Sequence, residues 1–308
     1  MKHYNITFKS LWPIVLCALF CFPAYANSGV GGKPLVVTSI KPLAIIAKSA
    51  LQDRARVEYI MPAGLSPHDV VLKVSDMRLL AEADLVLWIG SDFEIRAAKQ
   101  FVSLPASKLM TAMNVIFPEH RTVDAEDMSM HTEHTEHTEH TEHTEHTEHD
   151  HDIDPHIWLS PTIASQMAKT LSLRLDMPVM DIFSEQVKKE TVNLLAPVTE
   201  RNYMVHHQGH GYFVDEFNLQ AGLSIRDMLG KQKGAKTQLN LRLEGEKLGV
   251  SCVFVEPQHG YKDAVAIAKD LSVHTTNIDI LAVDYGDQLP SYESYIYGLA
   301  TQFSACFK

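Results

Sequence analysis

Leu35-Val36-Val37-Thr38-Ser39-Ile40-Lys41-Pro42-Leu43 is the stretch that decides the fold. Its first six residues form a short β-rich run. Pro42, with φ already set for a helix and no N–H to satisfy, suits the first turn of a helix reaching about Leu51. The same grammar recurs downstream. Val57 to Met61 reads as a second strand. Ser75 and Asp76 are positioned to cap a helix running to about Ala83. Asp84 to Gly90 is a buried strand with a glycine turn, and a further helical pattern covers Phe93 to Val102. Strands alternating with helices predict a parallel sheet flanked by helices.

The second half of the 308-residue chain repeats this order. Tyr203 to His206 reads as a strand end, Gly222 to Ile225 as a weak strand, and Thr237 to Leu248 as a helix stopped by Gly249. Cys252 to Val255 is a buried strand, Tyr261 to Leu271 a helix, Ile278 to Val283 a last strand and Ser291 to Phe307 a final helix. Between the halves, Ser160 as N-cap with Pro161 at N1 starts a helix to about Leu175. An amphipathic stretch follows from about Met180 to Glu200. The expected fold class is α/β, with two (β/α) lobes: residues 27–178, a linking helix over 179–202, and residues 203–308.

The amino-terminal segment reads as an export signal. Lys2, His3 and Lys9 precede an apolar run, Leu11 to Phe22, that is short for a membrane span. Ala24-Tyr25-Ala26 fits the small-x-small cleavage rule, so cleavage is expected after Ala26 and a periplasmic location follows. Removing residues 1–26 takes Cys17 and Cys21 with it and leaves Cys252 and Cys306. Two cysteines in an oxidising compartment suggest one disulfide.

Residues 118–152 form one long polar insertion. Within it His-Thr-Glu repeats six times from His131 to Glu148, followed by His149-Asp150-His151-Asp152. The tract has no apolar side chain with which to build a core and is expected to be disordered. Its imidazoles, His131, His134, His137, His140, His143, His146, His149 and His151, suit zinc, copper or nickel. A period of three puts them on one edge of an extended chain. Ordering entropy opposes tight binding, so they form a set of auxiliary, low-affinity sites. Six Glu and two Asp in this stretch supply -8 of the net charge of -11. The remainder is only mildly acidic, and nothing in it suggests a nucleic acid or an anionic membrane as partner.

Open α/β sheets bind ligands outside the carboxyl ends of their strands, and several candidates fall there. His68 lies in the loop Met61-Pro62-Ala63-Gly64-Leu65-Ser66-Pro67-His68-Asp69. His156 lies in the constrained turn Asp154-Pro155-His156, with Trp158 placed to shield it. His206 and His207 end a strand, and His210 follows. Asp284 comes after the apolar run Ile280 to Val283. Taken singly, each also has an ordinary structural reading. Three neutral imidazoles with one carboxylate oxygen would make a four-coordinate zinc site.

These pieces form an ordered series. Thr38 to Leu43, Ser66 to Asp69, Ala83 to Gly90, Asp154 to Pro161 and Val255-Glu256-Pro257-Gln258 together resemble the ZnuA family, the periplasmic zinc-binding components of ABC uptake transporters. The resemblance spans roughly Lys33 to Cys306. It implies two (β/α) lobes on one long rigid linking helix, with metal in the interlobe cleft. It places the first two histidine ligands at His68 and His156. Gly211-Tyr212-Phe213 anchors the third at His207 rather than His206. The C-lobe aspartate maps to Asp284, with His210 or water as alternatives for the fourth donor. The family also carries a His-rich loop where this chain has its repeat, and zinc members often have a disulfide where Cys252 and Cys306 stand. Gln208 and His210 depart from the family's pattern, which has an acidic residue and an aromatic there. Pro67 stands where some zinc-specific relatives have a carboxylate. Three histidines favour zinc over manganese.

The expected function is capture of Zn2+ by a monomer that delivers it to an inner-membrane permease, with a periplasmic zinc chaperone as a further candidate partner. Rival readings are a metal-storing or adhesin-like protein of the same fold and a secreted zinc hydrolase. The hydrolase lacks an H-E-x-x-H motif or any obvious general base beside a ligand, so no enzyme is expected.

Overall fold

The computed structural model describes Met1 and residues 32–120 and 153–308. The expected export signal and the histidines from His131 to His151 lie outside the described residues. Strands β1 (Leu35–Thr38), β2 (Arg56–Tyr59), β3 (Leu85–Trp88) and β4 (Leu109–Thr111) form a parallel sheet in the order β2-β1-β3-β4. Strands β5 (Met204–His207), β6 (Leu223–Arg226), β7 (Cys252–Val255) and β8 (His274–Asn277) form a second, in the order β6-β5-β7-β8. The two sheets repeat one topology, in two α/β lobes. Their central strands β1, β3, β5 and β7 are buried at every residue. Parallel strands covered by helices on both faces need such unbroken burial.

The helices are α1 (Lys41–Leu51), α2 (Val74–Glu82), α3 (Ala98–Val102), α4 (Ala112–Ile116), α5 (Pro161–Arg174), α6 (Glu185–Leu195), α7 (Gly211–Glu216), α8 (Ala235–Leu248), α9 (Lys262–Asp270) and α10 (Tyr292–Ala305). Local chemistry accounts for their ends. Pro42 opens α1, and the Ser160 hydroxyl accepts the Ile163 N–H at 3.2 Å to cap α5. Gly249, at φ +64, closes α8 in the left-handed conformation.

Two expected elements differ. The linking segment, expected to be helical over 179–202, is α-helical only over Glu185–Leu195 and then tightens into a 3-10 turn at Ala196–Val198. Asp181 accepts the Phe183 N–H at 3.1 Å, which holds a turn ahead of the helix, and Pro197 brings no N–H to extend it. The last strand is not Ile278 to Val283 but β8, four residues earlier, paired with β7 from Cys252↔His274 to Val255↔Asn277. Ile278, Ile280, Leu281 and Ala282 are buried by side-chain packing against the core, without a strand ladder, and Ala282 turns the chain at φ +58.

Polar contacts tie the two sheets' surroundings together. The fully buried Lys41 ammonium, at the start of α1, donates to the Ala282 and Gly286 carbonyls at 2.6 Å each. Trp158 donates its indole N–H to the Ile280 carbonyl at 3.0 Å, and the Tyr292 hydroxyl donates to the Trp158 carbonyl at 2.8 Å. Ser160 and Thr162 both donate to Glu216, at 2.6 and 2.8 Å. Cys252 and Cys306 lie with Cα atoms 5.8 Å apart, within the span a disulfide bridges. Among the described residues no helix is long and apolar enough to cross a membrane.

Replacing Lys41 by Met would leave the buried Ala282 carbonyl, and the more exposed Gly286 carbonyl, without their charged donor. The expected cost is about 2–4 kcal/mol of unfolding free energy, measured by urea denaturation. A change below about 0.5 kcal/mol would show that Lys41 is not an interlobe tie.

Candidate metal centre

The carboxyl ends of β2, β3, β5 and β7 supply most of the site. His68 lies in the loop after β2. Phe93, in the loop after β3, turns its carbonyl toward the imidazole and accepts from His68 Nδ1 at 3.1 Å. His156 follows Asp154-Pro155. Asp154 Oδ1 accepts the His156 backbone N–H at 2.9 Å and its ring Nδ1 at 2.7 Å, so one carboxylate fixes both chain and ring. His207 is the last residue of β5, and its Nδ1 donates to Oε1 of Glu256, the first residue after β7, at 2.6 Å.

A carbonyl and two carboxylates accept these bonds. Each Nδ1 therefore carries the proton, and each Nε2 carries the free lone pair. The three rings converge: one donor nitrogen from each of His68, His156 and His207 lies within 4.8 Å of the others. His156 Nε2 and His207 Nε2 are 3.1 Å apart. Tetrahedral ligands about 2.0–2.1 Å from zinc stand about 3.3–3.4 Å apart, so only a few tenths of an ångström separate this pair from ligand spacing.

The pocket is dry. His68, His156 and His207 are 5%, 1% and 1% exposed. Phe93 stacks edge-on against His68 and His156, at 4.7 and 5.6 Å between ring centroids, and Trp158 stands 5.2 Å from His156. Burial, and then the neighbouring His156, lowers the His68 pKa to about 4. Burial followed by the other imidazoles holds His207 well below the ordinary histidine value. These two rings are neutral at pH 7, the state a metal ligand needs. Gly209 gives the chain room to pass them. A Cβ there would run into the His207 ring and stand 3.0 Å from His156 Nε2.

Other candidates are placed elsewhere. Asp284 does not join the imidazoles. The strand expected to deliver it ends at Asn277, so it sits in a 3-10 turn (Val283–Tyr285), exposed, accepting from Gln302 Nε2 at 3.2 Å. Its own N–H, with that of Val283, is tied to the buried Asp279 carboxylate. His206 points to the opposite face of β5 from His207, as strand alternation requires, and pairs with Asp263 at 3.0 Å. His210 is buried, its Nε2 3.9 Å from Glu256 Oε1, and burial lowers its pKa to about 4. Sequence reasoning gave no role to Phe93 or His259 and saw Glu256 only inside a motif. His259 lies 4.7 Å from His207 between ring centroids. Its position follows from β5 lying beside β7, a non-local pairing with no local signal.

Comparison with known proteins shows the family and the fold. The profile of the family described as zinc-uptake complex component A, periplasmic, matches residues 36–176 and 184–306. The high-affinity zinc uptake system protein ZnuA of Yersinia pestis is 30% identical, over 89% of this chain and 91% of its own length. The protein of that name from Haemophilus ducreyi is 33% identical, over 88% and 92%. The periplasmic zinc binding protein TroA from Treponema pallidum shares the fold, with a TM-score of 0.67 at 18% identity, over 89% of this chain and 99% of that one. This chain therefore belongs to the ZnuA family, the periplasmic solute-binding components of zinc uptake systems, and is not an enzyme.

Proposed function

We propose that this protein binds Zn2+ in the periplasm through His68, His156 and His207 and delivers it to an inner-membrane ABC permease. The observation that carries this reading is the convergence of three imidazoles whose Nδ1 atoms are each held by an acceptor. Neutral nitrogen donors in a closed, dry pocket suit a borderline divalent ion. Asp284 is left out of the ligand set, because its carboxylate is engaged with Gln302. His68 and His156 precede the segment between the two sheets and His207 follows it, so a bound ion would link the lobes. Residues 1–26 would direct export, Cys252 and Cys306 would close a disulfide in that oxidising compartment, and a monomer would dock on the permease. The His-Thr-Glu tract would gather zinc weakly.

Zinc titration of the full mature chain against a competing chelator tests the reading. One tight site is expected, with His156→Ala weakening it by at least 100-fold. Asp154→Ala, which frees the His156 ring while keeping all three ligands, should weaken it about 10- to 100-fold. Unchanged tight binding in His156→Ala would overturn the assignment.

Acid should separate the two kinds of site. Tract imidazoles with ordinary pKa values, roughly 6.5, become charged as pH falls from 7.5 to 5.5 and release zinc. With its pKa at about 4, His68 stays neutral across that range, as does the still more buried His207. Metal analysis after dialysis at pH 5.5 should therefore find about one ion retained per chain. Loss of all zinc at that pH would contradict the site as built.

A further inference from the structure

Glu256 organises more than the His207 ring. Its carboxylate is fully buried, and its ion-pair partners among the described residues are the imidazoles of His207 and His210. Gln258 Nε2 donates to its second oxygen at 2.6 Å. The His259 ring stands 4.7 Å from that of His207 between centroids, and one donor atom from each of His207, Glu256 and His259 lies within 4.8 Å of the other two. His68 and His156 are not part of this group. Both ring nitrogens of His210, and Oε1 of Gln258, are buried beside Glu256 without a hydrogen-bond partner. Orphaned buried polar atoms next to a carboxylate with no lysine or arginine on it mark a place that accommodates a further polar or charged species. A surface cavity of about 390 Å3, lined by Arg226, Gln232, His259, Tyr261, Lys262 and Asp263, opens onto His259.

We propose that Glu256, His259 and His207 form a second Zn2+ position, wholly within the carboxyl-terminal lobe, that shares His207 with the first. The proposal rests on the reading of the three converging imidazoles as a zinc site. Two nitrogens and one carboxylate oxygen are an ordinary zinc donor set. Sharing makes the positions exclusive. A neutral imidazole has one lone pair. At the first position the ion takes Nε2 while Nδ1 keeps its proton and donates it to Glu256. At the second it takes Nδ1, the nitrogen facing Glu256, the ring carries its proton on Nε2, and the Nδ1–Oε1 pair opens from its hydrogen-bonded 2.6 Å to ligand spacing. An ion leaving His68 and His156 would thus remain chelated in the carboxyl-terminal lobe, next to the cavity over His259.

Co2+ alone, whose visible absorption reports its coordination, is the probe, with the full mature chain throughout. His68→Ala/His156→Ala removes the first position. This double variant is expected to keep one Co2+ site with tetrahedral-type bands. Adding His259→Ala should weaken that site at least tenfold and abolish the bands. The repeat is present in both variants and cancels in the comparison. Far-ultraviolet circular dichroism checks folding. If His259→Ala unfolds the chain, His259→Gln in the same background decides, with the same tenfold loss expected. Coincident Co2+ titrations of the double variant with and without His259 would overturn the second position while leaving the first standing. A wild-type chain with no tight zinc site would overturn both.

Discussion

Three hydrogen bonds hold the site together: Nδ1 of His68 to the Phe93 carbonyl, Nδ1 of His156 to Asp154, and Nδ1 of His207 to Glu256. An imidazole on a free rotor presents either nitrogen in many directions. Fixing Nδ1 on an acceptor sets both the tautomer and the direction of the Nε2 lone pair. The architecture serves this constraint. Glu256 is delivered by the carboxyl end of β7, which lies directly beside β5 and its terminal His207, whereas Phe93 comes from the loop after β3, one strand removed from β2 and the His68 loop that follows it. Asp154 is delivered by a proline-stiffened turn that the cap at Ser160 holds against α5.

As the proposed zinc site, the arrangement would favour binding at some expense to the stability of the metal-free chain. Two Nε2 lone pairs face one another at 3.1 Å in an apolar pocket, and His68 and His207 have been stripped of water that would otherwise solvate them. Aromatic packing from Phe93 and Trp158, and the acceptors on Nδ1, offset part of that cost. A cation placed among the nitrogens relieves the repulsion and is held in surroundings of low dielectric. Local rules broken at one place, and satisfied around it, mark a functional site.

Much of the fold was legible because it rests on local chemistry. The strand at Leu35–Thr38, the proline at the start of α1, and the Ser160-Pro161 helix start all read directly from neighbouring residues. The histidine turn at 154–156 was visible for the same reason. What failed was non-local. Ile278–Ala282 is apolar enough for a strand, but it is buried by side-chain packing while the more polar His274–Asn277 takes the ladder beside β7. That shift carried Asp284 away from the imidazoles. Glu256 and His259 acquire their meaning only when β5 lies beside β7 with Met204 opposite Val253. No periodicity within either segment contains that pairing.

Fixed tautomers would aim the Nε2 atoms of His68, His156 and His207 at one point. The most direct measurement is a crystal structure of the zinc-loaded protein with anomalous data at the zinc absorption edge. A peak is expected about 2.0–2.1 Å from Nε2 of His68, His156 and His207, with the Phe93, Asp154 and Glu256 bonds to Nδ1 intact. Zinc-loaded crystals with no peak among these three Nε2 atoms would contradict it.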